Sequence, residues 1–332
     1  RVAYVRLATF NETTREELED ALDELGREDL QGLVLDLRGN PGGLLNQAVQ
    51  VADLFLDKNQ LIVSHHGRNQ RERSYRARGG NQGHSYPLVV LIDRFSASAA
   101  EIVAGAVQDH DRGLIVGETS FGKGLVQTVY PLSHNTGLAL TSARYYTPSG
   151  RLIQRDYRSV SLYSYYYGQH SNGNTLDPHR TDGGRTVYGG GGITPDVEVK
   201  LPELNDFQQE LLRRVILYPS NIGVGDFARR YLARYQDVAR DFEVTTNVVD
   251  EFRRFLIEKG VGYAEPDIQD NLDWLKVKIK REIFTSVFGR DEGHRVGILA
   301  DPQVQRAIEL LPQARELAEN TRRIIARQQQ NR

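Results

Sequence analysis

Residues 32–56 read GLVLDLRGNPGGLLNQAVQVADLFL, in which a strand pattern passes through a glycine-rich turn into a helical pattern. The apolar run over 32–37 predicts a buried strand. Over 44–56 the apolar residues recur at the spacing of one helix face: Leu45, Ala48, Val49, Ala52 and Leu56. This stretch therefore predicts a strand, a tight turn and a helix in direct succession.

The same alternation continues through the first 200 residues. Short apolar runs predict strands over 2–7, 61–63, 88–93, 113–117, 125–130 and 138–146. Helical spacing predicts a helix that Thr13 caps, with Glu16 three places on, and a further helix over 99–109. Strands that alternate with helices indicate an α/β fold built in layers.

Composition excludes several classes of function. The 332 residues carry 42 basic and 44 acidic side chains, a net charge of −2, which gives no electrostatic reason to expect nucleic acid as a partner. There is no cysteine, so thiol catalysis, disulfides and thiolate metal sites are excluded. No apolar run reaches the ~18 residues of a membrane helix. Because the chain has no methionine and no apolar leader, we expect a mature product or a fragment.

The chain becomes helical and highly charged from about residue 202. Asp301 followed by Pro302 is a helix start signal, and Pro312 is expected to interrupt the apolar stripe that follows. We therefore predict two regions, a core over 1–200 and a helical region over 201–332. The apolar stripes of the helical region require a partner, which is either the rest of the chain or a second copy.

Between these regions, residues 150–192 are rich in tyrosine, serine and glycine and are expected to form an irregular excursion. Two interpretations of the tyrosines remain open: a surface loop that packs its own aromatic rings, or an aromatic wall along a substrate groove. The tyrosines are Tyr157, Tyr163, Tyr165, Tyr166 and Tyr167.

Several common catalytic motifs are missing. The sequence contains neither His-Glu-x-x-His nor Gly-x-Ser-x-Gly, so a zinc site and the usual serine elbow are not indicated. The stretch from Gly117 to Lys123 approaches a phosphate-binding loop, but Gly124 stands where that motif needs a hydroxyl. No cofactor or metal is therefore expected.

Ser98 stands where a predicted buried strand gives way to a predicted helix. A serine in the first turn of a helix lies near unpaired backbone N–H groups, which can stabilise an oxyanion when a carbonyl is attacked. The same position is also typical of a serine that only caps the helix. The segment by itself leaves both interpretations open.

Lys123 lies between Gly122 and Gly124, in a turn after another predicted strand. A lysine confined there would lose solvation, which favours the neutral amine that a general base requires. Serine–lysine pairs perform nucleophilic acyl transfer in place of the serine–histidine pair. The alternatives are an exposed loop lysine and, for Gln127 four residues on, either support of the amine or a solvent-facing strand residue.

Taken together, the motifs resemble those of the carboxyl-terminal processing peptidases, or tail-specific proteases. The matching stretches occur in the family's order, spread over roughly residues 1–200: LRGNPGG at 37–43, DRFSASAAEI at 93–102, QD at 108–109, VGE at 116–118, FGKG at 121–124 with Gln127, YYTPSG at 145–150 and GGITPD at 191–196. Each motif is weak alone, and their joint order is specific.

The resemblance implies residue roles. It makes Ser98 the nucleophile, Lys123 the general base and Gln127 the residue that supports the lysine. It makes the backbone N–H groups of Gly43 and Ala99 the oxyanion donors. An acidic position of the family falls on Asp109, for which a structural role is more plausible than a catalytic one.

The resemblance also implies a fold and a setting. The fold would be the crotonase-like spiral of ββα units (ClpP/crotonase type), here with a C-terminal helical region and without the family's PDZ domain. The activity would be that of a serine endopeptidase that needs no cofactor and cleaves proteins with apolar C-terminal tails in the periplasm or cell envelope. Self-association through the C-terminal helices is expected. The alternatives are a catalytically silent peptide-binding or assembly module on the same fold and, less favoured, an acyl-CoA enzyme.

Overall fold

The computed structural model describes residues 1–68, 70–134, 136–156, 177–217 and 224–330. It divides into two compact units, one made of Arg1–Lys200 with Arg306–Arg332 and the other of Leu201–Gln305. The helical region predicted over 201–332 is thus shared between the units, since its last part lies in the first one. The five tyrosines of the predicted excursion fall outside the described residues.

A five-stranded parallel sheet forms the centre of the first unit. Its strands, in spatial order, are β1 (Val2–Arg6), β2 (Gly32–Asp36), β5 (Leu88–Ile92), β6 (Leu114–Gly117) and β11 (Val197–Glu198). Neighbouring strands all pair in parallel. Since β2, β5 and β6 point the same way, the turns that follow them emerge at one edge of the sheet, where sites in α/β proteins tend to lie.

Helices pack on this sheet through apolar side chains. They are α1 (Thr14–Glu24), α2 (Leu45–Asp53), α3 (Ala99–Asp109) and the C-terminal α11 (Leu311–Gln330). Every residue of α3 is buried. The C-terminal helix lies against β2 so closely that a Cβ on Gly32 would come within 2.6 Å of Leu311 Cδ1. Gly32 therefore makes room for Leu311.

A second sheet is antiparallel. Its spatial order is β4 (Gln70–Arg76), β3 (Leu61–Gly67), β8 (Gly137–Tyr146) and β7 (Leu125–Pro131), so β7 lies at an edge. A separate hairpin consists of β9 (Asp177–Arg180) and β10 (Thr186–Gly189). The sheets and helices together confirm the mixed α/β class.

The second unit is helical. Its helices are α4 (Asp206–Leu217), α5 (Val224–Leu232), α6 (Thr246–Glu258), α7 (Glu265–Gln269), α8 (Leu272–Phe288) and α9 (Arg290–Leu299), and they enclose their own apolar core. Within the described residues, none of the helices combines the length and the apolar character needed to span a bilayer.

The predicted helix start and break near the C terminus are confirmed. Asp301 Oδ1 accepts hydrogen bonds from the N–H groups of Gln303 and Val304, at 2.9 and 3.2 Å, and so caps α10 (Pro302–Glu309). The next helix, α11, begins at Leu311 with Pro312 in its first turn, because a proline at that place lacks only an N–H that would be unpaired anyway.

Candidate active site

The turns after β2 and β5 are held together by Ser96. Its buried hydroxyl donates to the carbonyl oxygen of Leu37 at 2.8 Å and accepts from the N–H of Asp93 at 2.9 Å. Asp93 in turn accepts a hydrogen bond from the N–H of Gly39 at 2.9 Å. Ser96, the first serine of the Ser-Ala-Ser motif, therefore fixes the turn geometry. Ser98, the second serine, takes no part in these hydrogen bonds.

Ser98 occupies a backbone conformation that few non-glycine residues adopt, with φ 55° and ψ −110°. Such a conformation costs about 1–3 kcal/mol and persists only where its surroundings impose it. Here the N–H of Ser98 donates to Glu101 Oε2 at 2.8 Å, and the neighbouring N–H of Ala97 donates to Asn40 O at 2.9 Å. Ser98 is the residue that precedes α3, and the Glu101 side chain caps that end of the helix by accepting from the N–H of Ser98.

Gly42 lies directly against Ser98. A Cβ on Gly42 would fall 2.8 Å from Ser98 Cβ and 2.9 Å from the nitrogen of Ala99, so only glycine fits this place. The N–H of Gly42 donates to Asn40 Oδ1 at 2.8 Å. Among the described residues, the N–H groups of Gly43 and Ala99 donate no hydrogen bond, so both are available to a ligand oxygen.

Lys123 reaches the same place through its backbone. The turn after β6 is tied to the serine turn by a hydrogen bond from Phe121 N to Ser96 O at 3.0 Å. The N–H of Lys123 donates to Glu101 Oε2 at 2.8 Å. The side chain of Lys123 is exposed, so the expectation that its two glycines shield it from water is not met. Gln127 on β7 is exposed as well.

Glu101 is the hub of the site, a role that the sequence reasoning missed. Its carboxylate is fully buried (0% exposed) and accepts four hydrogen bonds. Oε1 accepts from Ser120 Oγ at 2.5 Å and Gly122 N at 2.7 Å, and Oε2 accepts from the N–H groups of Ser98 and Lys123, each at 2.8 Å. Because both backbone nitrogens, of Ser98 and of Lys123, lie 2.8 Å from Oε2, they are separated by no more than twice 2.8 Å.

Burial and hydrogen bonding shift the pKa of the Glu101 carboxyl in opposite directions. Burial raises the pKa of the Glu101 carboxyl, and the hydrogen bonds from Ser120, Lys123, Ser98 and Gly122 lower it without cancelling the increase. The only sequence signal for this residue is an acidic side chain three places after a helix-capping serine, which is the pattern of a capping box. That pattern predicts the bond to Ser98 N but not the bonds to the turn over 118–124.

The far end of α3 carries a separate polar network. Asp109 Oδ1 accepts from Arg151 Nη2 at 2.6 Å, and both side chains are buried. His110 places Nδ1 2.7 Å from Asp182 Oδ2 and Nε2 2.7 Å from Leu61 O. An eleven-residue helix is about 16 Å long, so this network is remote from Ser98 and joins strands instead. The contacts of Asp109 are those of a residue that stabilises the fold, with its carboxylate bound to Arg151 and to the N–H of Ser149.

Comparison with known proteins relates the first part of the chain to a family. Residues 1–158, just under half of the 332, match the description "Peptidase family S41". The S41 match includes all five residues assigned a role by resemblance: Gly43, Ser98, Ala99, Lys123 and Gln127. The predicted resemblance to carboxyl-terminal processing peptidases is confirmed, and S41 peptidases of this kind are serine-type enzymes.

The similar proteins are longer. A carboxy-terminal-processing protease of Bartonella bacilliformis is 50% identical over 158 residues, which cover 46% of this chain and 36% of the relative. A chloroplastic C-terminal processing peptidase of Tetradesmus obliquus is 47% identical over 150 residues, 45% of this chain and 32% of the relative. The structure is also similar to that of the photosystem II D1 C-terminal processing protease, at 38% identity and a TM-score of 0.46, covering 59% of this chain and 42% of that one. The chain spans about a third of the length of these curated relatives.

Proposed function

We propose that this chain is a serine endopeptidase that cleaves proteins near their carboxyl terminus through Ser98 and Lys123. The observation that carries the proposal is the convergence of two turns on Glu101, with Gly42 of a third turn packed against Ser98. One buried carboxylate holds the backbone of Ser98 and of Lys123, while the N–H groups of Ala99 and Gly43 remain unpaired beside them. A nucleophile, a base and two oxyanion donors are what acyl transfer requires.

In the proposed mechanism, neutral Lys123 Nζ takes the proton of Ser98 Oγ as that oxygen attacks the peptide carbonyl. The N–H groups of Ala99 and Gly43 hold the oxyanion of the tetrahedral intermediate. Its collapse breaks the peptide bond, and the departing amine takes the proton from the Lys123 ammonium. Lys123 then takes a proton from a water that attacks the ester. When this second tetrahedral intermediate collapses, the ester C–O bond breaks, Ser98 Oγ takes the proton from the Lys123 ammonium, and the acid product leaves.

Because Lys123 is exposed, the bound substrate itself is proposed to shield the amine from water. The Lys123 side chain is exposed to water, and it is the removal of water that disfavours an ammonium ion. A polypeptide lying over Lys123 would remove water from the amine. We therefore propose that substrate binding completes the environment of the base, with Gln127 as its hydrogen-bond support.

Three further parts of the proposal concern setting and assembly. The sheets and α3 are consistent with a crotonase-like spiral of ββα units. Protein substrates with apolar C-terminal tails, action outside the cytoplasm in the periplasm or cell envelope, and self-association through the C-terminal helices all follow from the resemblance. The chloroplastic name of one relative shows that location varies within the family.

The test is chemical labelling combined with cleavage. A fluorophosphonate probe should label Ser98, and an unstructured protein with an apolar tail should be cut. Ser98→Ala and Lys123→Ala should each abolish cleavage, while Lys58→Ala and, in the helical unit, Ser286→Ala, both on exposed residues, should leave it unchanged. Cleavage that survives in Ser98→Ala refutes the nucleophile. A folded protein that neither cuts nor labels points to a silent peptide-binding module.

A further inference from the structure

Strand β7 presents an open edge directly after the proposed catalytic lysine. Within the described residues, β7 pairs with β8 on one side and with no strand on the other. An unpaired strand edge offers a row of backbone donors and acceptors to another extended chain. The strand begins at Leu125, two residues after Lys123.

The hydrogen-bond pattern identifies the groups on the open edge. The N–H of Leu132 donates to Thr136 O at 2.8 Å, so this pair is hydrogen-bonded across the hairpin. In an antiparallel ladder the bonded positions alternate. Tyr130 and the other even-numbered residues therefore face β8, and Gln127 and Val129 turn their N–H and C=O groups outward. Pro131, which has no N–H, takes the last outward place and ends the row of donors.

The open edge is on the side of Ser98. The carbonyl of Gly124 accepts from Tyr145 N at 2.8 Å and so faces β8. The N–H of its neighbour Lys123 points the opposite way, to the Glu101 oxygen that also holds Ser98 N. Lys123 shares its orientation with the outward residues Leu125, Gln127 and Val129. A strand laid along β7 would therefore run into the serine turn.

Apolar side chains surround this edge on both faces of the hairpin. Val129 is 66% exposed on one face. On the other face the register brings Tyr130 opposite Leu138, with Leu132 (54% exposed) and Leu140 (48% exposed) beside them. An extended peptide presents its side chains to alternate faces. It would meet apolar surface with both sets of its side chains.

We propose that the open edge of β7 binds the polypeptide substrate as an added strand, with Val129, Tyr130 and Leu132 contacting its apolar side chains. The proposal rests on the proposed function, because it is the peptidase that needs an extended chain led past Ser98 and Lys123. From Leu125 to Val129 the edge is roughly 13 Å long, which places its apolar end several substrate residues from the bond that is cut. It thereby selects substrates by sequence away from that bond.

Backbone methylation of the peptide tests the pairing without altering the protein fold. The probe is a set of short unstructured apolar peptides, each with one N-methylated amide, titrated by fluorescence anisotropy into the Ser98→Ala variant. Strand addition predicts that methylation at every second position weakens binding by roughly two- to tenfold and that the positions between are tolerated. Equal tolerance at all positions, or no binding of the parent peptide, overturns the proposal.

Side-chain and edge variants test the place of binding. Val129→Pro removes one outward N–H, and Val129→Ser removes apolar contact, so both should weaken peptide binding by roughly two- to tenfold. Ile257→Ser is the matched control, since Ile257 is 65% exposed but lies in the helical unit. Unchanged affinity in the Val129 variants, together with a change in oligomeric state by sedimentation, would instead make β7 a contact between copies.

The two proposals fail separately. Fluorophosphonate labelling of the unaltered chain, measured with and without the parent peptide, reports the nucleophile at Ser98. The peptide titrations use a chain without that hydroxyl and report only the edge. Labelling without the alternating pattern sinks the strand proposal alone, and the alternating pattern without labelling sinks the proposed catalysis alone.

Discussion

Replacing Glu101 by glutamine is the sharpest perturbation of the site. The substitution keeps the size of the side chain but turns one of its two acceptor oxygens into an NH₂ group. In the unaltered chain, each carboxylate oxygen of Glu101 accepts two hydrogen bonds. Whichever way the glutamine amide is oriented, the two donors that face its NH₂ group lose their acceptor. In one orientation those donors are the N–H groups of Ser98 and Lys123.

The magnitude follows from that count. A buried donor without a partner costs about 1–3 kcal/mol, so two of them cost roughly 2–6 kcal/mol. Removing the buried negative charge relieves a desolvation penalty, which moves the net loss toward the lower end. The positive φ of Ser98 is also no longer imposed, so the serine can relax to an ordinary conformation. We therefore expect Glu101→Gln to lose activity at temperatures where the chain is still folded.

The assay measures both effects on one preparation. Urea unfolding followed by circular dichroism gives stability, since the single tryptophan, Trp274, lies in the helical unit and does not report on the first. The rate of fluorophosphonate labelling gives the reactivity of Ser98. Glu16→Gln, on an exposed residue of α1, is the control and should change neither. Normal stability and normal labelling in Glu101→Gln would refute the role of Glu101 as a hub.

Three further predictions concern packing and pH. Gly42→Ala should abolish cleavage and lower the melting temperature, because its Cβ has no room, whereas Gly83→Ala, with a similar φ of 89° but open space around it, should leave cleavage intact. Leu311→Ala should cost about 2–5 kcal/mol in urea unfolding, and the exposed Leu299→Ala should change it little. Burial lowers the pKa of His110, but its hydrogen bonds outweigh this and raise the pKa overall. The stability it contributes should therefore be complete below the ordinary histidine pKa of about 6.5 and be lost as pH rises through the raised value, and His110→Gln should flatten that part of a stability–pH profile.

Elements with a buried face could be predicted from the sequence. The apolar runs predict the helix over 99–109 and the strands near 32–37 and 88–93. These elements are buried, and burial requires apolar side chains at the positions that face the core. β4, with the sequence QRERSYR, was not predicted, since it is an edge strand held by its backbone and carries charges typical of edges. The two-residue β11 is too short to leave any pattern.

Only part of the candidate site could be predicted from the sequence. The positions of Ser98 and Lys123 could be predicted from motifs, because neighbouring residues determine the conformation of a turn. Glu101 could not be assigned, since three of its four partners belong to a turn that is distant in sequence and only the parallel sheet brings it near. The exposure of Lys123 was likewise beyond prediction, because solvation depends on what lies across from a residue and not on the glycines beside it.

The helix α11 gives the first unit a particular order of assembly. Residues 201–305 leave the ribosome before the helix that packs on β2, so a nascent chain carries the turns after β2, β5 and β6 for some time with that side of the sheet uncovered. In the chain, the helical unit stands as an insertion between two parts of the first unit. Synthesis must therefore pass through α11 before the sheet that positions Ser98 is covered on this side, so this unit cannot complete its fold at an early stage of synthesis.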